Sequence, residues 1–161
     1  VDSCTRTTPD TFAESIAELV VDPAVGAPLP STAISLDETS VDTDPSVEAL
    51  DAAETGVIQA GLGVANYGTI TVESRPGGDE LVSLYPPRHV VIVDAEDIVP
   101  DLSAGFDRFE TAIEDARANG TPGASRVLTT GPSATADMGE LVEGVHGPKE
   151  VHVVILEDSG Q

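Results

Sequence analysis

This sequence predicts an α/β domain built on a mainly parallel sheet, and three observations predict it. The runs HVVIV (89–93) and VHVVIL (151–156) carry apolar residues without alternation. Successive strand side chains point to opposite faces, so such runs imply burial on both faces, as in a parallel sheet under helices. The stretch SAGFDRFETAIEDARANG (103–120) sets Phe106, Phe109, Ile113 and Ala116 on one helical face and stops at Asn119-Gly120, a left-handed helix end. Strand and helix signals then alternate along the chain with no internal repeat. At 161 residues it suits one domain, which buries roughly 70% of its unfolded surface.

Taken in order, TPDTFAESIAELVV (8–21) opens the chain with an amphipathic helix. Thr11 and Glu14 have capping-box spacing, and Phe12, Ile16, Leu19 and Val20 form its stripe. Residues 22–45, rich in proline and acid, predict short extended pieces and loops. DPSVEALDAAETG (44–56) reads as a short helix ending at Gly56. VIQAGLGVANYGTITVES (57–74) reads as a hairpin or kinked strand pair, with Asn66 and Gly68 supplying a tight turn. DELVSLYPP (79–87) predicts a strand stopped by Pro86 and Pro87, and HVVIV follows as a buried strand. After the helix at 103–120 come a strand at 125–130, a short helix at 133–144 and a last buried strand at 150–158.

Charge narrows the setting. The chain has 29 acidic and 7 basic residues, a formal net charge of −22, and Lys149 is its single lysine. The acid is interspersed between apolar segments, which spreads it over a folded surface. Such a surface repels itself until molar salt shortens the screening length to about 3 Å. Together with six arginines to one lysine and only 3% aromatic residues, this predicts a halophile's salt-rich cytoplasm; an acidic interaction protein is the alternative. No basic stripe exists for nucleic acid. No apolar run approaches the ~20 residues of a membrane span, and the N-terminal residues show no secretion signal. Cys4 stands alone, so this sequence holds neither a zinc knuckle nor the four thiolates of an iron–sulfur cluster. The three histidines are too scattered in sequence for a metal site.

Two stretches invite chemistry, since ligands in open α/β sheets gather beyond the carboxyl ends of strands. In TTGPSATAD, Gly131 follows a strand, and Ser133 or Thr135 would cap the helix that comes next. Ser133 and Asp137 are then one helical turn apart. They share a ligand, or they merely cap and complement the helix end. In GVHGPKE, His146 sits before the Gly147-Pro148 corner, as a general acid or base or as a fixed turn residue. Arg88-His89 is a rare cationic pair that either clamps a carboxylate or phosphate or forms an ion pair with one of the many acids. No P-loop or dinucleotide fingerprint is present.

Taken together, SVEALDAAETG, GVANYGTITVES, SLYPPRHVVIVDAEDIV, TTGPSATAD and VEGVHGPKEVHVVILED resemble the lactate-utilisation protein C family (LutC or YkgG, the LUD domain). The resemblance covers about residues 46–158, the motif-bearing core. Residues 1–45 make a variable helix-and-loop region of the same single domain. It implies a three-layer α/β sandwich like the NagB/RpiA/CoA-transferase group. It also implies a part in oxidising L-lactate to pyruvate beside partners that carry iron–sulfur clusters, with no cofactor in this chain. Family members usually carry an acid and then Thr ahead of the Gly-Thr, where this chain has Asn66 and Tyr67 before Gly68-Thr69.

The resulting expectation is a non-redox, cytoplasmic component that binds a small anion or its partner subunits. Its ligand-binding set is Thr69, Arg88, His89, Gly131, Ser133, Thr135 and Gly147, with His146 and Asp137 as candidate catalytic residues. Two alternatives stand beside it: a stand-alone enzyme of isomerase, ligase or acyl-transfer type, and an acidic scaffold without a ligand.

Overall fold

The unbroken apolar run becomes the centre of a sheet. The computed structural model of the chain describes residues 1–120, 125–131, 134–137, 140–143 and 147–158. Strand β7, Arg88–Asp94, keeps Val90, Val91, Ile92 and Val93 buried on both its faces. The strands around it are β1 (Ser3–Thr7), β2 (Ala24–Gly26), β3 (Val41–Asp42), β4 (Thr55–Gln59) and β12 (Glu150–Leu156). They form a six-stranded sheet in the order β1-β12-β7-β4-β2-β3, parallel throughout.

The two faces of this sheet meet different layers. Helix α1, Phe12–Leu19, lays Phe12 and Ile16 against Val57, Val90, Ile92 and Val154. Each such large side chain contributes about 1.5–3 kcal/mol on burial, so the stripe read from the sequence fastens the helix. A short 3-10 turn at Pro9–Thr11 precedes it. The Thr8 N–H donates to Thr11 Oγ1 at 3.2 Å there, one turn earlier than the predicted Thr11–Glu14 box. The opposite face packs Ile58, Val91 and Val93 against Ile70, Val72 and Val82 from a second layer.

That second layer holds helix α2 (Val47–Ala52), helix α3 (Asp79–Leu84) and a four-stranded sheet. The small sheet runs β8-β5-β6-β9, with β5 at Gly63–Val64, β6 at Thr69–Glu73, β8 at Ile98–Val99 and β9 at Arg126–Thr130. The predicted turn is the β5–β6 connection, where Gly68 has φ +59°. Helix α4, Leu102–Ala118, lies over this sheet. Asp101 caps it, accepting from the Ala104 N–H at 3.0 Å. Asn119 and a left-handed Gly120, φ +66°, close it as predicted. Its inner contact is Gly105 over Leu62, Val64 and Val99, with Phe109 half-buried. Phe106 and Ile113 are exposed, so the predicted apolar stripe is rotated partly outward.

Three elements differ from the sequence expectation. Residues 79–84 form α3 rather than a strand, because Gly78 turns left-handed at φ +80° and Asp79 and Glu80 occupy the first turn, where carboxylates suit the helix dipole. Within the helix expected at 133–144, the described residues are strands instead. Ala134–Asp137 (β10) and Glu140–Glu143 (β11) pair antiparallel, Asp137 opposite Glu140. Gly139 in mid-segment weakens a helix there, and β-branched Thr135 and Val142 face each other in the ladder. Finally, β1 precedes α1 where no strand was read. SCTRT has no apolar signal, and only pairing with β12 makes it a strand.

Candidate functional site

A cleft of about 420 Å³ forms where Gly131 approaches the Gly147-Pro148 corner. Gly131, directly after β9, borders it on one side, and Gly147-Pro148, leading into β12, on another. Parallel pairing brings this about. Because β7 and β12 run side by side in register, Arg88 opposite Glu150, the segments entering them also lie together. The Lys149 and Glu150 N–H groups both donate to the Pro87 carbonyl, at 2.7 and 3.1 Å. The cleft therefore opens at the amino ends of β7 and β12, and only for β9 at the carboxyl end that the sequence rule favours.

Helix α3 supplies a further wall through Glu80, Ser83 and Leu84. Its close approach depends on Gly56 of β4, whose missing Cβ leaves the space that the Val82 carbonyl oxygen fills. Gly56 is paired with His89 across the β4–β7 ladder. The glycine that admits the helix thus lies beside the histidine that lines the cleft.

His89 is the chemical centre of this cleft. Strand alternation turns it to the same face as Val91 and Val93, toward α3 and the small sheet. It is 1% exposed, and its Nε2 has no hydrogen-bond partner among the described residues. Burial pushes its pKa down to about 4, because an imidazolium would be stripped of water there. The ring is neutral near pH 7, able to donate from one nitrogen and accept at the other. On the neighbouring strands, Thr69 and Thr130 join hydroxyl to hydroxyl at 2.6 Å, which ties the Gly68-Thr69 turn to the lip of the cleft. Val72, Leu84, Val127, Leu128 and Pro148 make much of the remaining wall apolar, and Glu80 is the charged group on it among the described residues.

Arg88, next in sequence, faces the other way. Its guanidinium meets Glu150 at 2.6 Å and donates to the Leu19 carbonyl at 3.0 Å. It borders a separate cavity of about 140 Å³ with Lys149 and Glu54. Adjacent strand residues point to opposite faces, so Arg88 and His89 do not form one clamp; the ion-pair alternative is what Arg88 adopts. Thr135 and Asp137 lie on β10, so the helical spacing that joined Asp137 to Ser133 does not hold. Ser133 and His146 lie outside the described residues. His152 is partly buried and partnered, with Nδ1 at 2.8 Å from Ser3 Oγ. Among the described residues no group of three or more His, Cys, Asp or Glu is placed to hold a metal ion.

Sequence reading missed a larger cavity of about 630 Å³ at the carboxyl ends of β1, β7 and β12. Asp94, Glu96, Glu157 and Asp158 make its rim acidic, and Gln59 fastens Asp94 at 2.9 Å. Its residues come from strand ends far apart in the chain. The one available signal was the cluster DAEDIVPD, which reads equally well as surface acid.

The sequence model described as the LUD domain matches residues 12–156. Lactate utilization protein C of Deinococcus radiodurans is 29% identical over 143 residues, 87% of this chain and 63% of that protein. Its Bacillus subtilis counterpart is 30% identical over 117 residues, 71% of this chain and 47% of that protein. The chain thus spans between about half and two thirds of the length of these curated relatives. The crystal structure of a DUF162 family protein from Deinococcus radiodurans shares the fold at TM-score 0.57 and 21% identity, over 95% of this chain and 88% of that one. No helix among the described residues is long and apolar enough to cross a membrane.

Proposed function

The chain belongs to the LUD domain family, and on that premise we propose that it serves an L-lactate utilisation system as a component that binds and carries no electrons. The observation behind the reading is the cleft lined by Gly131, Gly147-Pro148, Thr130, which is hydrogen-bonded to Thr69, and a buried His89 whose Nε2 has no partner among the described residues. These belong to the motifs that carry the family resemblance. The name of the relatives, lactate utilization protein C, supports the pathway. The single cysteine in these 161 residues supports leaving the iron–sulfur clusters of L-lactate oxidation to partner proteins.

The cleft offers no Arg or Lys among the described residues that line it. What it holds, a small molecule or a group from a partner subunit, is therefore held by hydrogen bonds and apolar contact rather than by ion pairing. The excess of acidic residues supports a salt-rich, halophilic cytoplasm as its setting. Deleting the gene tests the role: loss of growth on L-lactate is expected, and normal growth would sink it. Turnover of a small molecule by the isolated chain would move the reading to a stand-alone isomerase, ligase or acyl-transfer enzyme.

A further inference from the structure

We propose that the His89 cleft selects an uncharged hydrogen-bonding group on an apolar body, and discriminates against the carboxylate of the same shape. The inference rests on the reading of this cleft as the ligand site, and adds the chemistry of what enters it. Three observations carry it. His89 lines the cleft, and its Nε2 is buried without a partner among the described residues; a buried polar atom left unmade costs free energy that a ligand's hydroxyl, carbonyl or amide reaching it would recover. The walls beside it are apolar, from Val72, Leu84, Val127, Leu128 and Pro148. Among the described residues the charged group on the wall is Glu80, and Arg88 is turned to the opposite face and paired with Glu150.

An anion entering this space loses its hydration, meets no described cation and approaches the Glu80 carboxylate. The neutral imidazole cannot compensate it with charge. A neutral amide, alcohol or ketone of equal size gives up less on leaving water and gains the His89 hydrogen bond. Free carboxylates are thus excluded by the same features that admit their uncharged counterparts. In a partner protein, the matching group is an Asn, Gln, Ser or Thr side chain or a backbone amide, flanked by apolar residues.

The experiment compares 3-methylbutanamide with 3-methylbutanoate, which share one skeleton and differ in charge, binding to the full chain in molar KCl. Binding is read by NMR from the backbone amide signals of Gly131 and Gly147 in every chain, and in the wild type also from the His89 ring signals, assigned by their loss in His89→Gln. The amide is expected to shift the His89 signals and to bind about tenfold or more tighter than the carboxylate. His89→Leu should lose that preference, and His89→Gln, which keeps a hydrogen-bonding group, should retain most of it. Equal or tighter carboxylate binding, no binding by either probe, or an unchanged preference in folded His89→Leu would each overturn the proposal. Growth on L-lactate separates it from the pathway reading. If His89→Leu loses amide selectivity and cells lacking the whole gene still grow normally, the cleft chemistry stands and the pathway role fails. If growth needs the gene but the carboxylate binds as well as the amide, the reverse holds.

Discussion

Acidification should weaken this fold through His89 by an amount that can be worked out. The unfolded imidazole titrates at its ordinary 6.5, and the folded one is held down at about 4 by burial. Between those values the unfolded chain binds a proton that the folded chain refuses, so stability falls as pH drops through that window. Each unit of separation is worth about 1.4 kcal/mol. The full contribution is therefore roughly 3 kcal/mol, present above the unfolded pKa and gone below the folded one. Many carboxylates titrate over the lower part of the range, so the clean quantity is a difference. Urea unfolding of the wild type and of His89→Gln, followed by circular dichroism in molar KCl, should be compared from about pH 7 to about pH 4. The wild type should lose up to roughly 3 kcal/mol more than the variant. Stability curves that stay parallel across that range would refute the argument, since they would mean that His89 titrates alike in both states.

Other outcomes follow from the same geometry. Gly56→Ala sets a methyl group where the Val82 carbonyl oxygen lies, so α3 must move. A loss of about 1–3 kcal/mol in urea unfolding is expected, together with changed NMR signals for Glu80 and Ser83. Thr130→Val removes the 2.6 Å partner of Thr69, which is 5% exposed. The orphaned hydroxyl should cost about 1–3 kcal/mol, and Thr69→Val in the same chain should recover part of it. With 29 acidic residues against 7 basic ones, the thermal midpoint should fall steadily as KCl is diluted from molar toward about 0.1 M. An unchanged midpoint would speak for an acidic protein of ordinary cytoplasm.

Local signals were strong where one segment's own pattern settles its state. The runs around Val91 and Val154 had to be buried on both faces, whatever their neighbours. Asn119-Gly120 ends α4 because a left-handed residue is needed there, and Gly68 turns β5 into β6 for the same backbone reason. Around residues 79–87 the local reading failed, since Leu81, Val82 and Leu84 suit either period. The choice fell to the left-handed Gly78 and to the room that Gly56 leaves for Val82. The outward rotation of Phe106 and Ile113 likewise depends on Gly105, the point at which α4 comes nearest to Leu62 and Val99.

For the candidate site the division is sharper. Residue types were legible from the sequence: a histidine entering a buried strand, a Gly-Thr turn and two Gly-Pro corners. Their arrangement was not. Gly131 and Gly147 share a cleft because β12 chose β7 as its parallel neighbour and β9 chose β6, pairings between segments tens of residues apart that no local period encodes. The same pairing set Arg88 opposite Glu150, while strand alternation turned His89 to the other face. Sequence alone determined which segments must be buried and where the backbone must turn, because those follow from side-chain period and steric freedom. Tertiary structure decided which buried polar atoms, His89 Nε2 among them, were left without a described partner, because satisfaction depends on every chain segment that reaches them.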